Sequence, residues 1–236
     1  RLSLDRMSAI RSVDPDRWTM TVEAGVTIEA IQDAATEAGR AFAPDWGARG
    51  TATIGGAIST DAGGTNVVRY GNMRENILGI EVVLADGTIW DSLRALRKDS
   101  SGYDLKQLFI GGEGTLGVVT AAVVRLVPAT PHRATALVAL AGLDQLAAFV
   151  EHVRTAATDT VTALELMSDE GIRTAADRFD LSHPLPGRAS HHVLVSLSAG
   201  TPVTDALSEL LNTAAERGLI SDAAVAVSAD QESALW

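Results

Sequence analysis

Apolar and polar residues alternate from Trp18 to Ala24 with the period of a half-buried strand, after which the spacing changes to threes and fours. Ile28, Ile31, Ala35 and Ala38 fall on one helical face, between a hydroxyl N-cap at Thr27 and Gly39, a residue suited to the left-handed end of a helix. A second alternating run, Ile80, Val82 and Leu84, leads into Ala85-Asp86-Gly87-Thr88, where Asp-Gly supplies the positive φ of a tight hairpin before Ile89 and Trp90. Gly117 to Val127 predicts one more strand, and Pro128 and Pro131 mark a boundary.

Beyond that boundary the pattern predicts strands over 135–141, 161–167, 192–198 and 221–227, with helices over 143–157, 169–179 and 201–217. With the 169–179 helix set aside as an insertion, the order is β-α-β-β-α-β, the split-βαβ arrangement of a ferredoxin-like sheet. The fold class is therefore α+β, with a first domain over 1–128 and a second over 129–236. The last residues before Trp236 read as the first turn of another helix.

Glycine changes this picture. Sixteen of the 21 glycines lie in the first 128 residues, and eight fall between Gly47 and Gly79, where no period is visible. A stretch of that kind inside a compact domain points to a loop wrapped around something. One cluster, Gly112-Glu113-Gly114-Thr115-Leu116-Gly117, fits the G-x-G-x-x-G spacing of a dinucleotide fingerprint. The β-branched run from Val118 that follows prefers a strand to the required helix, and no acid stands at the ribose position about 20 residues on. A Rossmann site is rejected, which leaves either a glycine turn entering a strand or bare backbone approaching a ligand. The other cluster runs from Pro44 to Gly64 and holds two Gly-Gly pairs among hydroxylated residues, a composition able to hold a diphosphate on backbone N–H groups. Pro44, Trp46, Ile54 and Ile58 within it argue for a packed loop over a flexible linker.

Composition narrows the chemistry. With 46% hydrophobic residues the chain has material for a core, and no cysteine means no disulfide, thiol nucleophile or cysteine-linked cofactor in this stretch. A formal net charge of −11 disfavours a nucleic-acid partner. No apolar run approaches the roughly 20 residues of a bilayer span, and residues 1–5 do not read as a signal sequence, so a cytoplasmic location is expected.

In order along the chain, Pro44-Asp45, Gly50-Thr51-Ala52-Thr53-Ile54-Gly55-Gly56, Asp61-Ala62-Gly63-Gly64, Arg69-Tyr70-Gly71, Ala85-Asp86-Gly87-Thr88 and Glu113-Gly114-Thr115-Leu116-Gly117 resemble the FAD-linked oxidoreductases of the vanillyl-alcohol oxidase type. Within that superfamily the chain is most similar to the D-2-hydroxy-acid dehydrogenases, which include D-lactate dehydrogenase, the glycolate oxidase flavin subunit and D-2-hydroxyglutarate dehydrogenase. Arg97 to Gly111 looks most like the hydroxyglutarate branch. The resemblance implies part of an FAD-binding domain followed by part of a ferredoxin-like substrate-cap domain. It assigns Pro44, Asp45, Gly47, Ala48, Gly50, Thr51, Ile54, Gly55, Gly56, Ser59, Thr60 and Gly64 to FAD, with Glu113, Gly114, Gly117 and Val118 towards the adenosine part. Two positions depart from the usual pattern, Ala57 and Asp61, each where the family has Asn; an inward Asp61 would repel a diphosphate.

The same resemblance places the first phosphate loop before Arg1, and the substrate arginine and a histidine-rich metal and proton-transfer motif after Trp236. No catalytic residue or metal ligand is therefore expected within the chain, and any divalent metal would be held by residues outside it. The implied partners are a small 2-hydroxy acid and an electron acceptor, protein or quinone, and a homodimer is compatible with both. No histidine precedes residue 132, which excludes a histidyl–flavin bond from the first half and predicts non-covalent FAD. His191 and His192 are adjacent on a strand and point to opposite faces, and His132, His152 and His183 lack ligand-like spacing to acids, so all five read as surface or edge residues. Arg49, Arg69 and Arg74 are candidates for phosphate contact or for solvated loop charge; Arg94, Arg97 and Lys98 read as the latter. Trp46 and Tyr103 are candidates to cover the flavin ring or to serve as core. The alternatives kept open are a same-fold oxidase of a sugar alcohol or lactone, a non-catalytic flavin-binding module, and a structural ferredoxin-like domain that would leave the glycine loops unexplained.

Overall fold

The computed structural model of the chain describes every residue except Arg1, Pro186 and Arg188. The polypeptide divides into two units, Arg1–Ala129 and Thr130–Trp236.

In the first unit, β1 (Ile10–Asp14) and β2 (Thr19–Glu23) are followed by α1 (Ile28–Glu37) and the two-residue β3 (Arg40–Ala41). The β2 strand starts one residue later than the alternation suggests, because Trp18 adopts a left-handed φ of 60° and forms the turn out of β1. Thr27 caps α1 by accepting the Ala30 N–H at 3.2 Å, and Gly39 follows it at φ 69°, as their positions in the sequence predict. The glycine-rich stretch forms three short helices that periodicity could not reveal: α2 (Ile54–Ser59), α3 (Val67–Tyr70) and α4 (Met73–Asn76). Then come β4 (Ile77–Val83), β5 (Ile89–Ser92), a 3-10 turn (Leu105–Leu108), β6 (Val118–Arg125) and β7 (Val127–Pro128).

The β4–β5 hairpin turns at Gly87, φ 86°, where Asp86 accepts the Thr88 N–H at 2.9 Å. That backbone bond holds the Asp86 carboxyl below its usual range. The antiparallel sheet runs β1-β2-β6-β4-β5, while β3 pairs separately with β7. Val22, Ile80, Val82 and Val124 pack with Ile28, Ile31 and Ala35 of α1 and with Ile54 and Ile58 of α2. Each such side chain contributes about 1.5–3 kcal/mol when fully buried, so α2 is held on the sheet by its own apolar anchors.

The second unit contains β8 (His132–Leu140), a 3-10 turn (Leu143–Gln145), α5 (Leu146–Ala156), β9 (Val161–Ser168), α6 (Asp169–Phe179), β10 (His191–Ala199), α7 (Thr204–Glu216), β11 (Ile220–Val225) and α8 (Ala229–Leu235). Its strands lie in the order β11-β8-β10-β9, all neighbours antiparallel, which is the split-βαβ order read from the sequence. One face carries α5 and α7, whose Phe149, Val153, Leu207 and Leu211 bury against Val138, Val195 and Leu197. The opposite face presents Leu137, Ala139 and Leu194, against which Leu185 is buried while Ile172 of α6 and Leu235 of α8 pack at the side. Beside them lies a largely apolar cavity of about 910 Å³, bounded by Met167, Ile172, Phe179, Leu235 and Trp236.

Candidate functional site

The loop from Pro44 to Thr53 is stitched to the start of α1. Ile28 N–H donates to Ala52 O at 3.0 Å, Glu29 N–H to Arg49 O at 3.2 Å, and Thr27 and Thr53 form a β-bridge. Gln32 reaches across to donate to Pro44 O at 2.9 Å and to the Asp45 carboxylate at 3.3 Å. Asp45 O accepts the Thr65 N–H at 3.0 Å, so the far end of the loop is tied to the near one. Arg49 pairs with Asp45 at 3.1 Å and with Glu29 at 3.6 Å; it braces the loop and is already neutralised. Pro44 is buried and Asp45 half-buried, whereas Gly47, Ala48, Gly50 and Thr51 form an exposed rim.

The glycines of this region divide by what a side chain would meet. A Cβ on Gly55 would stand 2.7 Å from Ala24 Cβ and 3.0 Å from Ala24 O, one on Gly64 only 2.2 Å from Asp45 O, and one on Gly117 2.5 Å from Val82 Cγ1. These three are required by packing inside the protein. Gly47 and Gly114 have nothing within 4 Å of the same point, and Gly56 has only Thr53 Oγ1 at 3.4 Å. Gly56, exposed on an otherwise buried turn of α2, presents bare backbone outward. Ile54 fills the core beneath it, and the hydroxyls of Ser59 and Thr60 donate to Gly55 O and Gly56 O at 2.8 and 3.0 Å.

The two glycine clusters meet in space. Gly111 N–H donates to Ile58 O at 3.0 Å and Glu113 N–H to Ser59 O at 2.8 Å, which seats the second turn on the C-terminal end of α2. Gly111, Glu113 and Gly114 all adopt positive φ, with Glu113 at 49°, a conformation that side chains usually avoid. Val118 then starts β6, which confirms a strand where a dinucleotide fingerprint would need a helix. Asp61 does not aim a free charge at this surface. Arg74 donates to it through its backbone N–H at 2.9 Å and Nε at 3.2 Å, and also reaches Gln107 Oε1 at 2.7 Å and Ile110 O at 2.6 Å. Arg74 is thus a brace between Asp61 and the residues before the 111–114 turn, a role that the sequence did not suggest. Of the two aromatic candidates, Trp46 packs on the core and Tyr103 is 95% exposed.

The expectation that all five histidines are surface or edge residues fails in the second unit. His152 is buried, with Nε2 3.0 Å from Leu210 O and Nδ1 3.0 Å from Arg217 Nη1. His192 is fully buried, on the sheet face that carries Ala139 and Met167 opposite it on the two neighbouring strands. Asp169, the first residue of α6, lies with its Oδ1 3.5 Å from His183 Nε2 and 4.0 Å from His192 Nε2. His183 and Asp169 are 14 residues apart, so no local spacing announces the group; the fold assembles it from a helix start, a loop and a strand start. The one legible signal is a histidine at an inward position of an apolar strand. Burial pushes His192 below the ordinary imidazole range, and the Arg173 side chain beside Asp169 holds that carboxyl below its own.

Comparisons with known proteins agree with this architecture. The family described as FAD binding domain matches residues 1–92, and that described as FAD linked oxidases, C-terminal domain, matches residues 129–236. Over its whole length the chain is 37% identical to a D-2-hydroxyglutarate dehydrogenase of Xanthomonas citri pv. viticola, covering 49% of that protein. It is also 37% identical to the mitochondrial D-2-hydroxyglutarate dehydrogenase of Bos taurus and to a putative mitochondrial D-lactate dehydrogenase of Schizosaccharomyces pombe, covering 43% and 45% of them. The chain thus spans about half the length of the curated relatives it matches. Among solved structures, an alkyldihydroxyacetonephosphate synthase superposes with a TM-score of 0.75 over 96% of this chain and 43% of that one, at 15% identity, which is a likeness of fold. With one family matching the first 92 residues and the other the split-βαβ unit, the chain belongs to the FAD-linked oxidases.

Proposed function

We propose that the whole protein is an FAD-linked dehydrogenase of a D-2-hydroxy acid of the D-2-hydroxyglutarate or D-lactate type, and that this chain supplies one wall of its cofactor cradle. The observation that carries the reading is the bare backbone at Gly47, Gly56 and Gly114, where a Cβ would meet at most one atom, beside glycines whose missing side chains are used up by packing. An acidic protein that binds an anionic cofactor needs such a surface, because backbone N–H groups can approach a diphosphate closely without cationic side chains. The residues fit FAD in that respect: Arg49 and Arg74 are spent on Asp45 and Asp61, and the exposed glycines offer main chain instead.

Within this proposal Gly47, Ala48, Gly50 and Thr51 line the rim, Gly56 and Gly114 admit the cofactor closest, and Pro44, Asp45, Ile54, Gly55, Gly64, Gly117 and Val118 fix the shape from beneath. Ser59 and Thr60 hold their hydroxyl hydrogens on α2, so they serve the cofactor as acceptors or through the backbone. The chemistry that FAD supplies when bound is two-electron oxidation of the substrate's hydroxyl-bearing carbon. The chain's own residues bind and orient, and the proton acceptor is assigned to the remainder of the protein.

The test is made on the full-length protein purified without added flavin. A yellow holoprotein that yields its chromophore to the supernatant on acid precipitation is expected, since the first unit offers neither Cys nor His for a covalent link. A colourless protein that takes up no added FAD contradicts the reading, and a flavin that stays with the pellet would put a covalent link outside the first unit.

A further inference from the structure

We propose that Asp169, His183 and His192 form a metal site for a divalent late first-row ion, with Zn2+ as its natural occupant, on the second face of the ferredoxin-like sheet. Among the described residues, five buried side-chain N or O atoms lack a hydrogen-bond partner, and four of them belong to this cluster: Asp169 Oδ1, His183 Nε2 and both ring nitrogens of His192. Buried polar atoms are almost always satisfied, so an unpaired atom on each of three neighbouring residues calls for a missing common partner. One donor atom from each residue lies within 4.8 Å of the other two. Zinc–ligand bonds of about 2.0–2.1 Å place tetrahedral donors about 3.3 Å apart, so closing on one ion asks each side chain to shift by less than about 1 Å.

The surroundings prepare these donors. Arg173 Nε donates to Asp169 Oδ2 at 2.6 Å, which fixes the carboxylate and leaves Oδ1 for the cluster. His183 Nδ1 sits 2.8 Å from Leu185 O and 3.1 Å from Leu185 N, contacts that hold the ring with Nε2 turned towards Asp169. His192 is fully buried and neither of its ring nitrogens has a hydrogen-bond partner. Two imidazoles and one carboxylate suit zinc, with a fourth position left for water. Asp169 N–H donates to Ser190 O at 3.1 Å and Ser168 pairs with His191, so α6 and β10 are positioned by backbone before any ion arrives. The site would pin the segment from His183 to Leu185, whose leucine is buried on the sheet, to both elements.

The experiment compares zinc content per chain, by elemental analysis after dialysis against trace Zn2+, in the full-length flavin-loaded wild type and three variants. His183→Gln and Asp169→Asn are expected to hold one equivalent less than the wild type, with flavin content and circular dichroism unchanged. His191→Gln, whose ring Nδ1 contacts Ser190 Oγ away from the cluster, is expected to match the wild type. Because the difference is read, zinc held elsewhere in the protein does not obscure it. A second measurement uses cobalt: wild type loaded with Co2+ should show the visible band of four-coordinate cobalt with histidine ligands, and His183→Gln should show less of it. Equal zinc in wild type, His183→Gln and Asp169→Asn, or no such cobalt band in a folded wild type, overturns the proposal and leaves a stretched Asp–His cluster only.

Discussion

Replacing Gly56 with valine is expected to weaken FAD binding by about two orders of magnitude, equivalent to roughly 2.7 kcal/mol. A Cβ there would meet only Thr53 Oγ1, at 3.4 Å, beyond its own helix backbone, so the side chain extends into the space that the bare backbone keeps open. Glycine is itself a poor helix former, and the stability of the flavin-free protein should therefore change by less than about 1 kcal/mol. The adjacent Gly55→Ala behaves oppositely. Its methyl would collide with Ala24 at 2.7 Å and cost about 1–3 kcal/mol of stability by overpacking, with flavin loss following from the damaged fold. Flavin titration beside a denaturant midpoint for each variant separates the two effects, and equal flavin affinity in Gly56→Val and wild type would remove Gly56 from the cradle.

Arg74→Ala is expected to destabilise the first unit by about 1–3 kcal/mol, because it leaves a half-buried Asp61 carboxylate with only the residue-74 backbone N–H and strips two backbone carbonyls of their side-chain donor. The loss should reach the cofactor surface too, since the 111–114 turn hangs between this brace and the end of α2. Lysine cannot reproduce the forked donation and should restore only part of the stability. An Arg74→Ala protein with an unchanged denaturant midpoint would show that Asp61 is solvated in solution and that the brace is dispensable.

The legible parts of the fold are those governed by near neighbours in the chain. The Thr27 cap, the Gly39 stop, the Asp86-Gly87 hairpin and the split-βαβ order are local in this sense and stand in the structure where the pattern puts them. The helices between Gly47 and Gly79 were hidden because the longest has six residues and each is fixed by contacts from outside: Gly55 N–H by Ala24 O, Tyr70 O by Arg125, Met73 N–H by Ala62 O. The site was legible as a set of glycines but not as a division of labour among them. Nothing in the sequence says that Gly55 answers to Ala24 while Gly56 answers to open space. The Arg74 brace and the Asp169–His183–His192 cluster were invisible for the same reason, each joining residues whose meeting depends on tertiary packing.

The proposed oxidation of a D-2-hydroxy acid is measured most directly by anaerobic bleaching of the bound flavin in the full-length protein. D-2-hydroxyglutarate or D-lactate should reduce the flavin stoichiometrically and its L-isomer far more slowly, whereas equal rates with both enantiomers, or bleaching by sugar alcohols alone, would contradict the account.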